Sequence, residues 1–237
     1  MKKNTAFFEG LKAGVPIAVG YLPIAVAFGL LTKSAGIPSY VGILMSLILY
    51  AGASQFVGIN LLALGAASWE IVLTTFILNL RHFLMSASLS QSLEDKPKKS
   101  LLPLVSFGIT DETFTVASMN NKEKLKIGYL LGLNLIAFSA WNVGTWGGLF
   151  LAAGLPQALK DSMGIALYAM FVGLLVPSLA KSRPILVIAF TAAAVHGILH
   201  WVPLFAGLST GWTIIISTIA AAAVGAYFFP QEDQENA

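Results

Sequence analysis

The chain has 237 residues, of which 57% are hydrophobic and 11% charged, with no cysteine and a formal net charge of +3; its mean hydropathy is +0.79. A soluble domain carries about a quarter charged residues, so this composition excludes water as the solvent around most of the chain. Lack of cysteine excludes a disulfide scaffold, a thiolate metal site and a cysteine nucleophile. The positive charges are scattered over short connectors, a pattern that orients a membrane protein and forms no basic face for nucleic acid.

A short amino-terminal segment, residues 1–12, places Lys2, Lys3 and Lys12 ahead of the first apolar stretch. With Pro16 and Pro23 inside that stretch and no small-residue cleavage site before Lys33, it reads as a retained span rather than a secretory leader. Eight apolar segments then follow one another, at about 13–32, 40–65, 69–93, 101–119, 127–153, 162–179, 184–202 and 212–229. Their lengths, roughly 18 to 27 residues, suit helices crossing a bilayer about 30 Å thick. Membrane strands would run about 10 residues with period-two alternation. The predicted fold is therefore an all-α integral membrane protein of about eight transmembrane or re-entrant helices, closed by an acidic tail at 230–237. Pro16, Gly20 and Pro23 are expected to interrupt the first segment. Gly52, Gly58 and the polar pair Ser54 and Gln55 are expected to interrupt the second. A broken helix at membrane depth must face protein or a wet cavity that satisfies its freed backbone groups.

Shifting the sequence by 118 residues aligns Gly29 to Ala51 with Gly147 to Ala169 at nine identical positions, among them Gly36/Gly154, Pro38/Pro156 and Tyr50/Tyr168. The same shift pairs Gly14 with Gly132 and His82 with His200. Two membrane repeats, 13–119 and 127–229, are predicted, an architecture that secondary transporters use to build a site between halves. Four crossings per half would make the repeats parallel and an odd number would invert them. The positive-inside rule places the amino terminus and the connectors at 120–126 and 181–183 in the cytoplasm. Eight crossings would then strand Lys96, Lys98 and Lys99 outside, a conflict that a re-entrant second or fourth segment relieves.

Ionisable residues inside spans are the informative ones, because a charge at the bilayer centre costs at least about 2.5–3.5 kcal/mol. Two clusters qualify: Asn79-Leu80-Arg81-His82 in the third segment and Thr110-Asp111-Glu112 in the fourth. Arg81 pairing with Asp111 or Glu112 would hold two helices together. The same groups would also serve a transport cycle, Arg81 and Asn79 gripping a carboxylate while Asp111, Glu112 and His82 exchange a proton. Gln55, equally suited to an interhelical hydrogen bond, and Asn142 are further candidate substrate contacts, and Trp141-Asn142 is expected to line the same cavity. His196 and His200 lie one turn apart without a third ligand, so no metal site is predicted, and no cofactor is implied. Phosphate loop, nucleophile elbow and zinc-protease motifs are absent from the sequence.

Pro23 with Phe28-Gly29, Ala51-Gly52-Ala53-Ser54-Gln55-Phe56, Asn79-Leu80-Arg81-His82 and Thr110-Asp111-Glu112-Thr113-Phe114 together resemble the AzlC family of branched-chain amino acid permeases. The resemblance covers about the first 120 residues. It implies export of leucine, isoleucine, valine and related amino acids such as methionine across the bacterial cytoplasmic membrane. It also implies a small hydrophobic partner subunit similar to AzlD. An intramembrane hydrolase and a non-transporting assembly subunit are the competing classes.

Overall fold

The computed structural model describes residues 2–94, 99–120, 124–151 and 182–230, with isolated positions between 152 and 181. The predicted span at 162–179, most of the second copy of the repeat and the acidic tail lie outside the described residues. Five helices are long and apolar enough to cross a membrane among the described residues. They are α1 (Lys2–Ser34), α4 (Ser68–Gln91), α7 (Ile127–Leu151), α8 (Arg183–Trp201) and α9 (Thr210–Phe228).

The second and fourth apolar segments are broken. In the second, α2 (Ser39–Leu44) continues through a π-helical turn, Met45–Leu49, and then stops. Tyr50 takes a left-handed backbone with φ 42° and Ala51 an extended one before α3 (Gly52–Ala63) begins. In the fourth, α5 (Leu102–Phe107) ends at Gly108, Thr110 is extended, and α6 (Asp111–Ser118) begins. The expected interruption of the first segment does not occur, because α1 runs unbroken through Pro16 and Pro23. It lies along α7, and small residues let the two backbones touch. A side chain at Gly10 would strike Tyr129 and Leu133, one at Gly14 Ile136 and Leu133, one at Gly29 Thr145 and Gly148, and one at Gly144 Leu22 and Ala25. Such close helix contact is how small residues secure membrane bundles.

Those contacts advance together along both helices, so α1 and α7 run parallel. A second contact locates the end of α4: the N–H of Leu125 donates to the Ser92 carbonyl at 2.8 Å, and that of Glu94 to the Leu125 carbonyl at 3.0 Å. The end of α4 and the start of α7 therefore share one membrane face, and the α5–α6 segment leaves that face and returns to it. With α1 parallel to α7, α1 starts on this face and ends on the opposite one, where α4 begins. The α2–α3 segment thus starts and finishes on the opposite face.

This arrangement relieves the lysine conflict in the way expected of a re-entrant second or fourth segment. Both broken segments are re-entrant, and Glu94 and Lys99, which flank Lys96 and Lys98, fall on the same face as the amino terminus. A third contact extends the layout to the last helix. Glu70, in the first turn of α4 and 5% exposed, accepts hydrogen bonds from the Ser209 hydroxyl at 2.5 Å and the Gly211 N–H at 2.9 Å. The carboxylate sits at the positive end of α9, so α9 starts on the face where α4 starts. The short link from Trp201 to Thr210 puts the end of α8 there too, which returns Arg183 to the lysine-rich face.

Candidate functional site

The two helix breaks open onto one cavity of about 770 Å³. Tyr50, Ala51, Gly52 and Ala53 line it from the second segment, and Thr110, Asp111, Glu112, Thr115 and Val116 from the fourth. Tyr21 of α1, Arg81 and His82 of α4 and Trp141 of α7 complete the polar wall. Tyr21, Arg81, His82 and Trp141 stand near the middle of their long helices, so the polar part of the cavity lies midway along the bundle. Ile17, Ile24, Leu175 and Ile185 supply apolar lining.

The Arg81 guanidinium donates to Asp111 at 2.8 Å, linking α4 to the first turn of α6. Their side chains remain 44% and 50% exposed, so the pair faces the cavity rather than sealing a helix interface. Beside it, the Tyr21 hydroxyl donates to Glu112 at 2.5 Å and lies 2.6 Å from the Thr110 hydroxyl. Thr110 caps α6 by accepting from the Thr113 N–H, while the Thr113 hydroxyl accepts from the Thr110 N–H at 2.8 Å. The amino terminus of α6 is therefore capped and carries two carboxyl groups, which its dipole favours.

The amino terminus of α3 is the opposite case. Ala51 offers no side-chain cap, and the first internal bond runs from the Gln55 N–H to the Ala51 carbonyl at 2.8 Å. The N–H groups of Gly52, Ala53 and Ser54 precede that bond and have no partner within the helix. Trp141 lies directly over this end, close enough that a side chain at Gly52 would come within 2.8 Å of its ring. Tyr50 and Trp141 are 3% and 4% exposed, and neither the tyrosine hydroxyl nor the indole N–H has a hydrogen-bond partner. A buried donor left unpaired costs about 1–3 kcal/mol. The two rings are held by neighbours, Tyr21 edge-on to Trp141 at 5.3 Å and Phe138 edge-on to Tyr50 at 4.9 Å.

The residues singled out from sequence separate into two groups. Arg81, His82, Asp111 and Glu112 converge on the cavity, whereas Asn79, Gln55 and Asn142 are not part of its wall. Asn79 accepts from the Ser54 hydroxyl at 2.7 Å and ties α3 to α4. Gln55 donates to the Ser46 hydroxyl at 2.9 Å, and Ser46 in turn lies 2.9 Å from the Thr145 hydroxyl. Asn142 donates to the Phe138 carbonyl at 2.9 Å and approaches the Ser46 carbonyl at 3.5 Å. These three side chains brace the π-helical turn and the break behind it. Of the expected Trp141-Asn142 pair only Trp141 reaches the cavity. His196 and His200 stack on α8 with ring centres 6.2 Å apart and do not line it either.

Tyr21 and Tyr50 were not candidates from sequence, since a tyrosine in an apolar run carries no charge to mark it. Tyr50 alone left a trace, as an identical position of the internal repeat. His82 has one further property. It lines a second, more open depression of about 500 Å³ between α4 and α5, with Ser86, Pro103 and Ser106, and so stands between that depression and the central cavity.

A family model described as AzlC protein matches residues 16–155, which include every cavity residue named here except Leu175 and Ile185. Inner membrane protein YgaZ of Escherichia coli is 33% identical over 201 residues, 82% of each chain. An uncharacterized membrane protein of Archaeoglobus fulgidus is 35% identical over 76% of this chain and 78% of its own. Branched-chain amino acid transport protein AzlC of Bacillus subtilis is 29% identical over 47% of this chain and 43% of its own. No solved structure matches significantly.

Proposed function

Since the chain belongs to the AzlC family and is a multi-pass membrane protein, we propose that it is a secondary transporter that exports branched-chain amino acids from the bacterial cytoplasm. The reading extends to leucine, isoleucine, valine and methionine as cargo, proton coupling, and a small AzlD-like hydrophobic subunit as partner. The observation that carries it is the cavity midway along the bundle, in which a free helix amino terminus faces an acid-bearing one between apolar walls. A zwitterion with an aliphatic side chain needs those elements: donors for its carboxylate, an acid for its ammonium and an apolar pocket.

Within this reading Glu112 and Asp111 face the ammonium, and the Arg81–Asp111 pair opens and closes as the site changes sides. His82, between the cavity and the depression beside α5, passes the proton. The name of the Bacillus subtilis relative supports the choice of cargo.

Liposomes loaded with radiolabelled valine test the proposal. The chain reconstituted with its partner should release valine faster when protons are allowed to flow in, and an uncoupler should abolish the stimulation. No release from the chain with or without the partner would overturn the transport reading in favour of an assembly subunit.

A further inference from the structure

We propose that the carboxylate of the cargo docks at the amino terminus of α3, between the Tyr50 hydroxyl and the Trp141 indole N–H, rather than on Arg81. This rests on the amino acid transport reading above. Among the described residues Tyr50 is the sole non-glycine residue with a left-handed backbone. That strained conformation sets its ring at the break instead of continuing the helix, and strain of this kind collects at ligand sites.

On the cavity wall the unpaired side-chain groups at this break are donors, whereas the unpaired oxygens of Gln55 and Asn142 belong to side chains that do not line the cavity. The Tyr50 hydroxyl and Trp141 indole N–H have no acceptor, and the Gly52 and Ala53 N–H groups stand at an uncapped helix start on the cavity wall. Such a set lacks one thing, an acceptor with negative charge, which a helix amino terminus also favours. The equivalent end of α6 is already filled by Thr110, Asp111 and Glu112 and faces a cation. Arg81 is bonded to Asp111, so a carboxylate that used it would first have to break a charge pair. The two helix ends thus read the two ends of a zwitterion, donors for the carboxylate and acids for the ammonium. Because the Tyr50 and Trp141 polar atoms are sealed from water, the carboxylate seats by parting the two rings.

Isothermal titration of the purified chain with valine and with valinamide, which keeps the ammonium and side chain but has no carboxylate, tests the assignment. Tyr50→Phe should weaken valine binding about tenfold, as loss of a hydrogen bond to a charged group does, and leave valinamide binding within about twofold. Trp141→Phe, which keeps a ring over Gly52, should do the same, and retained valinamide binding reports that each variant is folded. Variants that keep the wild-type preference for valine, or that lose both probes in proportion, overturn the carboxylate subsite alone. A wild-type chain that binds neither probe overturns the transport reading and the subsite with it.

Discussion

The Glu94 N–H bonds the Leu125 carbonyl across 3.0 Å, and this one contact forces everything between them to return to the face it left. Thirty residues of largely apolar sequence look like a crossing and are not one. Combined with the parallel course of α1 and α7, the contact makes α1 to α6 two crossings and two re-entrant segments whose tips meet. Lys33 is then the sole lysine or arginine opposite the lysine-rich face among the described residues, with Arg81 midway along α4, which satisfies the positive-inside rule.

Because the chain contains no cysteine, single cysteines can report this layout directly. Lys99→Cys should react with a membrane-impermeant maleimide only after the cells are opened, and Ala66→Cys, between α3 and α4, in intact cells. Labelling of Lys99→Cys in intact cells would restore the layout of uninterrupted crossings.

The Arg81–Asp111 pair faces the cavity, so its contribution to folding is that of an exposed pair, about 1 kcal/mol or less. Arg81→Ala or Asp111→Asn should therefore leave expression and melting temperature nearly unchanged and abolish valine efflux. The exchange Arg81→Asp with Asp111→Arg should restore the pair without transport. Efflux regained in the exchange variant would show that the pair serves only to hold α4 to α6.

Much of this was legible from residue types. Charges buried in apolar runs led to Arg81, His82, Asp111 and Glu112, and all four reach one cavity. Breaks were expected at Gly52, where one occurs, and at Gly58, Pro16 and Pro23, where none does: α3 runs through Gly58, and continuous packing on α7 holds α1 whatever its local preference. Uncharged polar residues were the weak point. Gln55, Asn79 and Asn142 look the same as ligands or as braces until the partner of each amide is known, and Tyr50 needed its backbone angle. Glu70 escaped notice because it stands at a helix start near a span edge, yet it is more buried than Arg81 or Asp111.

Glu70 joins α4 to the start of α9, and its removal should be costly in a way the cavity pair is not. Glu70→Gln replaces a charged acceptor of two hydrogen bonds at a helix amino terminus, worth about 1.5–3 kcal/mol per such bond. A melting temperature several degrees lower, with valine affinity unchanged in the folded fraction, is expected. Gly211→Ala should act in the same direction, since the new methyl would lie against the Glu70 carboxylate. Unchanged melting in both variants would mean that α4 and α9 are held together elsewhere.

Adjacent glycines on α7 provide the sharpest test of the helix pair that supports the site. A side chain at Gly148 would collide with the Val26 backbone of α1, whereas one at Gly147 would meet only a Val26 methyl at 4.0 Å, ordinary contact. Gly147 is one of the identical repeat positions and Gly148 is not, so identity between repeats points to the wrong residue of the two. Gly148→Ala should push α1 and α7 apart at a cost of about 1–3 kcal/mol, typical of overpacking, and lower the yield of monodisperse protein. Gly147→Ala should be neutral or slightly stabilising, because alanine favours the helix by up to about 1 kcal/mol over glycine. Because Trp141 lies on α7 and Tyr21 on α1, the Gly148 variant should also lose valine affinity while the Gly147 variant keeps it. Equal melting temperatures for the two variants would refute the close parallel packing on which the whole membrane layout depends.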